Sequence, residues 1–186
     1  SMFKGLRQNG ATLYSYHHLL YGYAKSKSPE RAQDFLEWWQ SEKSDPRPTT
    51  MSFNIVLHAL TRSDHSNAVK RSLRLFQSME QRDDVSYTTL ISTLCKLRPS
   101  KAIEAIESVI ERAWDEIPVE AYFVSRVLYS VASVDDRNAV QLAERIVQKA
   151  ASKKITSIEV YNGLIHCWAK SKHRGAAKRV REILEI

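Results

Sequence analysis

The chain is built on a period. Five segments each open with a short hydroxyl, aromatic or amide stretch and run into an apolar pattern. They align at His17, Asn54, Thr88, Ser125 and Asn162, with spacings of 37, 34, 37 and 37 residues. A unit of that length is one helical hairpin, too small to bury its own apolar face, so it must stack on its neighbours. The period therefore predicts an all-α chain, an elongated solenoid of about five helix-turn-helix repeats rather than a compact globule. The expected boundaries are 1–12 as the end of a preceding repeat, then 13–49, 50–83, 84–120, 121–157 and an incomplete 158–186.

Each unit divides into two helical stripes. Tyr16, Leu19, Leu20, Tyr23 and Ala24 recur at the spacing of one buried helix face. Ser28-Pro29-Glu30 supplies a cap and a proline at the first helical position, and Ala32, Phe35, Leu36 and Trp39 form the next stripe. Asp45-Pro46-Arg47-Pro48 ends the unit, because proline disfavours helix at the residue before it. The plan repeats with Phe53, Val56, Leu57 and Leu60 before Leu73, Leu75, Phe76 and Met79. Tyr87, Leu90, Ile91 and Leu94 precede Ala102, Ile103, Ile106, Val109 and Ile110; Val124, Val127, Leu128 and Val131 precede Val140, Leu142, Ala143, Ile146 and Val147. In the fifth unit Tyr161, Leu164, Ile165 and Trp168 precede Ala176, Ala177, Val180 and Ile183. Small residues recur at Gly22, Ala59, Thr93, Ser130 and Cys167, and again at Ala24, Thr61, Cys95, Ala132 and Ala169, where they would let neighbouring helices approach. No segment has a strand pattern.

A formal charge of +7 over 186 residues suits a polyanion such as nucleic acid. Cys95 and Cys167 have no near partner in sequence and are expected as reduced packing groups. No apolar run reaches the length of a membrane span. Ser1-Met2 looks like a tag remnant, Met2 to Gly10 like the tail of a helix stopped by an Asn-Gly cap, and Val180 to Ile186 like an interrupted helix. These ends suggest a piece of a longer array.

Three openings carry a family resemblance. Ser86-Tyr87-Thr88-Thr89-Leu90-Ile91-Ser92-Thr93-Leu94-Cys95-Lys96, Ser52-Phe53-Asn54-Ile55-Val56-Leu57-His58-Ala59-Leu60 and Val160-Tyr161-Asn162-Gly163-Leu164-Ile165 resemble the first helix of the pentatricopeptide repeat family. The likeness spans nearly the whole chain; the fourth unit departs, with Val124-Ser125 where an aromatic-amide pair is usual. The resemblance implies a right-handed α-solenoid that binds single-stranded RNA, one base to a repeat, by side chains meeting unstacked base edges. It implies that each anchor selects a base together with the last residue of its repeat. Those pairs are His17 with Thr49, Asn54 with Asp83, Thr88 with Glu120 and Ser125 with Ser157; Asn162 would pair beyond Ile186. Asn54–Asp83 implies uridine; Thr88–Glu120 leans to guanine, with Glu in place of the usual Asp; the other two match no strong code. The residues three before each anchor, Tyr14, Met51, Val85 and Tyr122, would sandwich the bases, whereas Glu159 cannot stack.

Eight residues past the anchors stand Lys25, Arg62, Lys96, Ser133 and Lys170. The four cations either follow RNA phosphates or answer the helix C-terminal dipole. The remaining features have plainer readings. The histidines lack partners at zinc spacing, so no metal or other cofactor is expected. Asp135-Asp136 fits a cap for the helix from Asn138 better than metal-assisted cleavage. Trp38 and Trp39 cannot both face inward, so one is expected exposed. The acids Glu104, Glu107, Glu111, Asp115 and Glu116 belong on an outer face away from RNA. Lys170, Lys172, Arg174, Lys178, Arg179 and Arg181 form either a polyanion site or a solvated face.

With no Gly-rich phosphate loop, nucleophile elbow or triad spacing, the chain reads as a binder and not an enzyme, with no small-molecule substrate and no membrane. Its expected partner is single-stranded RNA, with RNA processing, stability or translation in a mitochondrion or plastid implied by the resemblance. The alternative is a protein-binding α-solenoid scaffold, or a subunit of a ribonucleoprotein complex.

Overall fold

The structure, a computed structural model, describes residues 11–26, 29–41, 45–63 and 67–185. The expected helix tail at Met2 to Gly10, the Ser28 cap, His65 and Ile186 lie outside those residues. Among the described residues there are ten helices and no strand: α1 Leu13–Lys25, α2 Pro29–Ser41, α3 Thr50–Thr61, α4 Ala68–Gln77, α5 Asp84–Leu94, α6 Pro99–Glu116, α7 Ala121–Val131, α8 Asn138–Ser152, α9 Ile158–Lys170 and α10 Ala176–Leu184. None is long and apolar enough to cross a membrane. Pro29 and Pro99 stand first in their helices, where a missing N–H costs no hydrogen bond.

The chain divides into two compact units, residues 1–90 and 91–186, with the division inside α5. In the first, α1 packs on α2 and α3, while α3 also packs on α2 and α4. Its core centres on Trp39, 1 % exposed, whose ring lies 4.5 Å from that of Tyr16 and whose indole N–H donates to the Pro46 carbonyl at 2.7 Å. Trp38 is half-buried against Phe35 rather than exposed, because its ring lies along the flank of the Phe35 ring with centroids 5.6 Å apart.

The second unit repeats the helical plan: α7 packs on α8 and α9, α9 also packs on α8 and α10, and α6 packs on α8. The stripes of α7 and α8 are buried as their periodicity predicts. In the last hairpin the buried set is Val160, Gly163, Leu164, Cys167 and Ile183, a register turned from the expected one, which leaves Tyr161, Ile165 and Trp168 half-buried. Gly163 and Cys167 meet α7 at Leu128.

Two kinds of seam join successive hairpins within a unit. Between first helices the seam is made by the small residues. Cys167 Sγ donates to the Leu128 carbonyl at 3.1 Å, while Thr61 Oγ1 and Cys95 Sγ each share one proton between their own helix, at the Leu57 and Ile91 carbonyls (3.0 and 3.3 Å), and the next, at the Thr89 and Ser130 carbonyls (3.4 and 3.3 Å). Burial pushes the Cys167 thiol up to about 12, so it stays protonated as a donor. A Cβ at Gly163 would stand 2.9 Å from Leu128 Cβ, so only glycine permits this approach of α9 to α7. Gly22 departs from the expectation, since a Cβ there would meet nothing within 4 Å.

Between second helices the seam is ionic. Arg71 on α4 reaches Gln33 at 2.8 Å and Glu30 at 3.3 Å on α2. Arg145 on α8 reaches Glu107 at 2.8 Å, and Lys149 on α8 pairs with Glu111 on α6. Arg179 on α10 meets Glu144 on α8 at 2.8 Å. Of the acids expected on an outer face, Glu107 and Glu111 bind the next second helix, while Glu116 pairs with Arg112 of its own helix. The N-cap of α8 is Arg137, with no side-chain cap bond, and Asp136 just before it accepts the Asn138 N–H at 2.7 Å, while Asp135 pairs with Lys172 at 2.9 Å.

Candidate nucleic-acid interface

Helix geometry sorts the sequence columns before any contact is considered. At about 100° per residue, positions three before, four after and eight after an anchor fall within about 40° of one another, and the anchor lies about 40–80° to one side. The first helices follow that arithmetic. Tyr14, Met51, Val85 and Tyr122 are 71, 49, 38 and 66 % exposed, each at the second position of its helix. The anchors His17, Asn54, Thr88 and Ser125 are only 8, 9, 2 and 8 % exposed, turned toward the helix seams; Asn162 is exposed.

The residues paired with the anchors by resemblance occupy one structural place: Thr49, Asp83, Glu120 and Ser157 each stand immediately before a first helix. That is the N-cap position, where a side-chain oxygen takes up an otherwise orphaned backbone N–H. Asp83 accepts the Ser86 N–H at 2.8 Å and its own N–H donates to Ser86 Oγ at 3.2 Å. The Thr49 N–H donates to Ser52 Oγ at 3.0 Å, and Ser157 Oγ accepts the Val160 N–H at 3.4 Å. Glu120 is exposed and makes no side-chain cap bond. A local signal for this existed in the sequence, the Thr-x-x-Ser and Asp-x-x-Ser spacing of a reciprocal cap.

Asn54 and Asp83 are brought together. The Asn54 amide donates to the two Asp83 oxygens at 3.0 and 3.2 Å, and Asn54 Oδ1 accepts from Ser86 Oγ at 2.8 Å. Ser86 Oγ also lies 2.7 Å from Asp83 Oδ1, so its one proton is shared between two acceptors. Burial pushes the Asp83 carboxyl up, but hydrogen bonds from the Ser86 backbone and side chain and from Asn54 outweigh it, and its pKa falls below the ordinary value. The carboxylate thus fixes the amide with nitrogen toward Asp83 and oxygen toward Ser86. An amide has two N–H donors and two acceptor lone pairs. This arrangement leaves Asn54 one donor and one acceptor side by side.

His17 is held the same way, its Nε2 lying 2.9 Å from Ser52 Oγ with Trp39 edge-on at 6.1 Å. Burial, then the charge of His18, lowers its pKa, so it is a neutral hydrogen-bonding group near pH 7. Thr88 gives its hydroxyl proton to its own helix, to the Asp84 carbonyl at 2.8 Å. In the second unit the place that Ser52 holds for His17 and Ser86 for Asn54 is taken, for Ser125, by Val160, which offers no hydroxyl.

The chain matches no protein-family model and no curated protein. The resemblance described above rests on this chain's own residues. Lys25, Arg62, Lys96 and Lys170 are all exposed at the C-terminal ends of their first helices, on the face shared with Tyr14, Met51 and Tyr122 in the helical arithmetic. In the second unit Arg126 lies 5.7 Å over the Tyr122 ring, setting a guanidinium beside an exposed π-face. Glu159 is wholly exposed at the equivalent place on α9, and a hydrogen bond with Ser157 holds its carboxyl below the ordinary range. Among the described residues no group of three or more His, Cys, Asp or Glu could hold a metal ion.

Proposed function

We propose that the chain is a right-handed α-solenoid of the pentatricopeptide repeat kind that binds single-stranded RNA along its first helices, one base to a repeat. The observation that carries this is the Asn54–Asp83–Ser86 cluster: a half-buried carboxylate orients a buried amide so that one donor and one acceptor remain for a base edge. That edge matches uracil, which offers an N–H beside a carbonyl. Support comes from the exposed column of Tyr14, Met51, Val85 and Tyr122 one turn before the anchors, suited to stacking, and from the four exposed cations. By the same resemblance the role is RNA processing, stability or translation in a mitochondrion or plastid. The test is binding to short RNAs varied at one position. Asp83→Asn keeps a good cap but removes the charge, and should relax the preference for uridine at one position only. A uniform loss across all sequences, or no binding of any single strand, would refute the reading.

A second reading, a protein-binding scaffold, is favoured by Thr88, which donates its proton inward, and by the Glu159 carboxylate, which repels phosphate. It predicts partners that co-purify after complete nuclease digestion and are displaced by Tyr122→Ala. RNA-dependent co-purification would speak against it.

A further inference from the structure

The column four residues past the anchors plays no part in the base or phosphate roles. It consists of Tyr21, His58, Ser92, Tyr129 and His166. Every member carries a group that both donates and accepts hydrogen bonds. Tyr21 and Tyr129 remain 43 and 47 % exposed although both are large rings, His58 is exposed, and His166 is half-buried. This column shares the helical face of the stacking residues and the cations. It lies about 6 Å along the helix from the anchor and about 6 Å from the cation two turns on.

The geometry points to a ribose-reading row. This inference rests on the RNA reading above: if base edges meet the anchors and phosphates meet the cations, the sugar joining them must cross the intermediate position. The 2′-hydroxyl there is itself both donor and acceptor, the feature that separates RNA from DNA. The best-built member is the pair Tyr129 and His166, with ring centroids 4.8 Å apart and planes inclined at 47°. The Gly163 contact with Leu128 brings α9 close enough to α7 for the two rings to meet. Lys170 stands one turn beyond His166 and Arg126 one turn before Tyr129, so cations flank the pair. Ser92 is the weakest member, its hydroxyl lying 3.2 Å from Ser130 Oγ.

The test uses the whole chain with two probes of equal length, a uridine homopolymer and a deoxyuridine homopolymer, which differ only at the 2′ position. Tyr129→Phe with His166→Phe keeps both rings and removes the polar atoms. Two net hydrogen bonds lost should cut RNA affinity by about fivefold to 150-fold and leave deoxyuridine binding unchanged. An equal loss on both probes, or no loss on either while wild type binds the RNA, overturns the ribose row but leaves the RNA reading standing. Failure of wild type to bind either probe overturns both.

Discussion

The first unit and the second build the same anchor column by different chemistry. In the first, His17 and Asn54 are gripped by Ser52 and Ser86, hydroxyls at the third position of the following first helix. In the second, the corresponding place after Ser125 holds Val160, a side chain with no hydrogen-bonding group. A hydroxyl fixes the direction of a polar anchor; an apolar wall fixes only its position. The first unit thus spends hydrogen bonds on orientation, while the second spends close contact, with Gly163 against Leu128 and Cys167 donating to the Leu128 carbonyl.

The contrast can be broken most forcefully through each unit's central packing. Trp39→Ala should cost about 3–5 kcal/mol by opening a cavity and orphaning the Pro46 carbonyl. Amide exchange resolved by helix should show the loss in α1 to α3. If α7 to α9 lose as much protection, the two units are not separate in stability. Next in size, Gly163→Ala should cost about 1–3 kcal/mol, since the added methyl collides with Leu128 Cβ and Cδ1. Thermal unfolding would read it, and an unchanged midpoint would show that α9 can slide on α7 at no cost.

Removal of the cap in Asp83→Ala should cost about 1 kcal/mol, and Glu120→Ala, where no side-chain cap bond exists, close to nothing. Equal effects would show that the Asp83 cap bond adds nothing to the start of α5. Gly22→Ala should raise stability by about 0.5–1 kcal/mol, because the space is open and alanine favours helix. Acidification supplies the finest test. His17 titrates below the ordinary histidine value when folded, so the unfolded chain takes up the proton first. Stability is then full above about pH 6.5 and declines as the pH falls through the folded value. His17→Gln should flatten that decline in the first unit and leave the second unaltered.

The helices were legible because apolar residues at three- and four-residue intervals leave few alternatives, and the proline at 29 marked one start. The anchor column was legible as a register, yet its burial was not. Periodicity gives the face of a helix but not how near the next helix comes, and within the first unit Asn54 is left 9 % exposed. The last hairpin shows the same limit: Tyr161 and Trp168 fit an apolar stripe as well as Val160 and Gly163 do, and only packing against α7 chose between them. The cap role of Thr49 and Asp83 was present as local spacing, while the grip of Ser86 on Asn54 joins residues 32 apart and left no local trace.

The ionic seam has a direction. Within each unit the acid or amide sits on the earlier second helix and the cation on the later one: Glu30 and Gln33 to Arg71, Glu107 to Arg145, Glu111 to Lys149, Glu144 to Arg179. Such a rule works like the plug and socket of a modular cable. Because every pair runs the same way, a hairpin joined in any order still meets opposite charge, whereas one joined in reverse would meet like charge, so the outer row fixes the direction in which modules stack and leaves their order open.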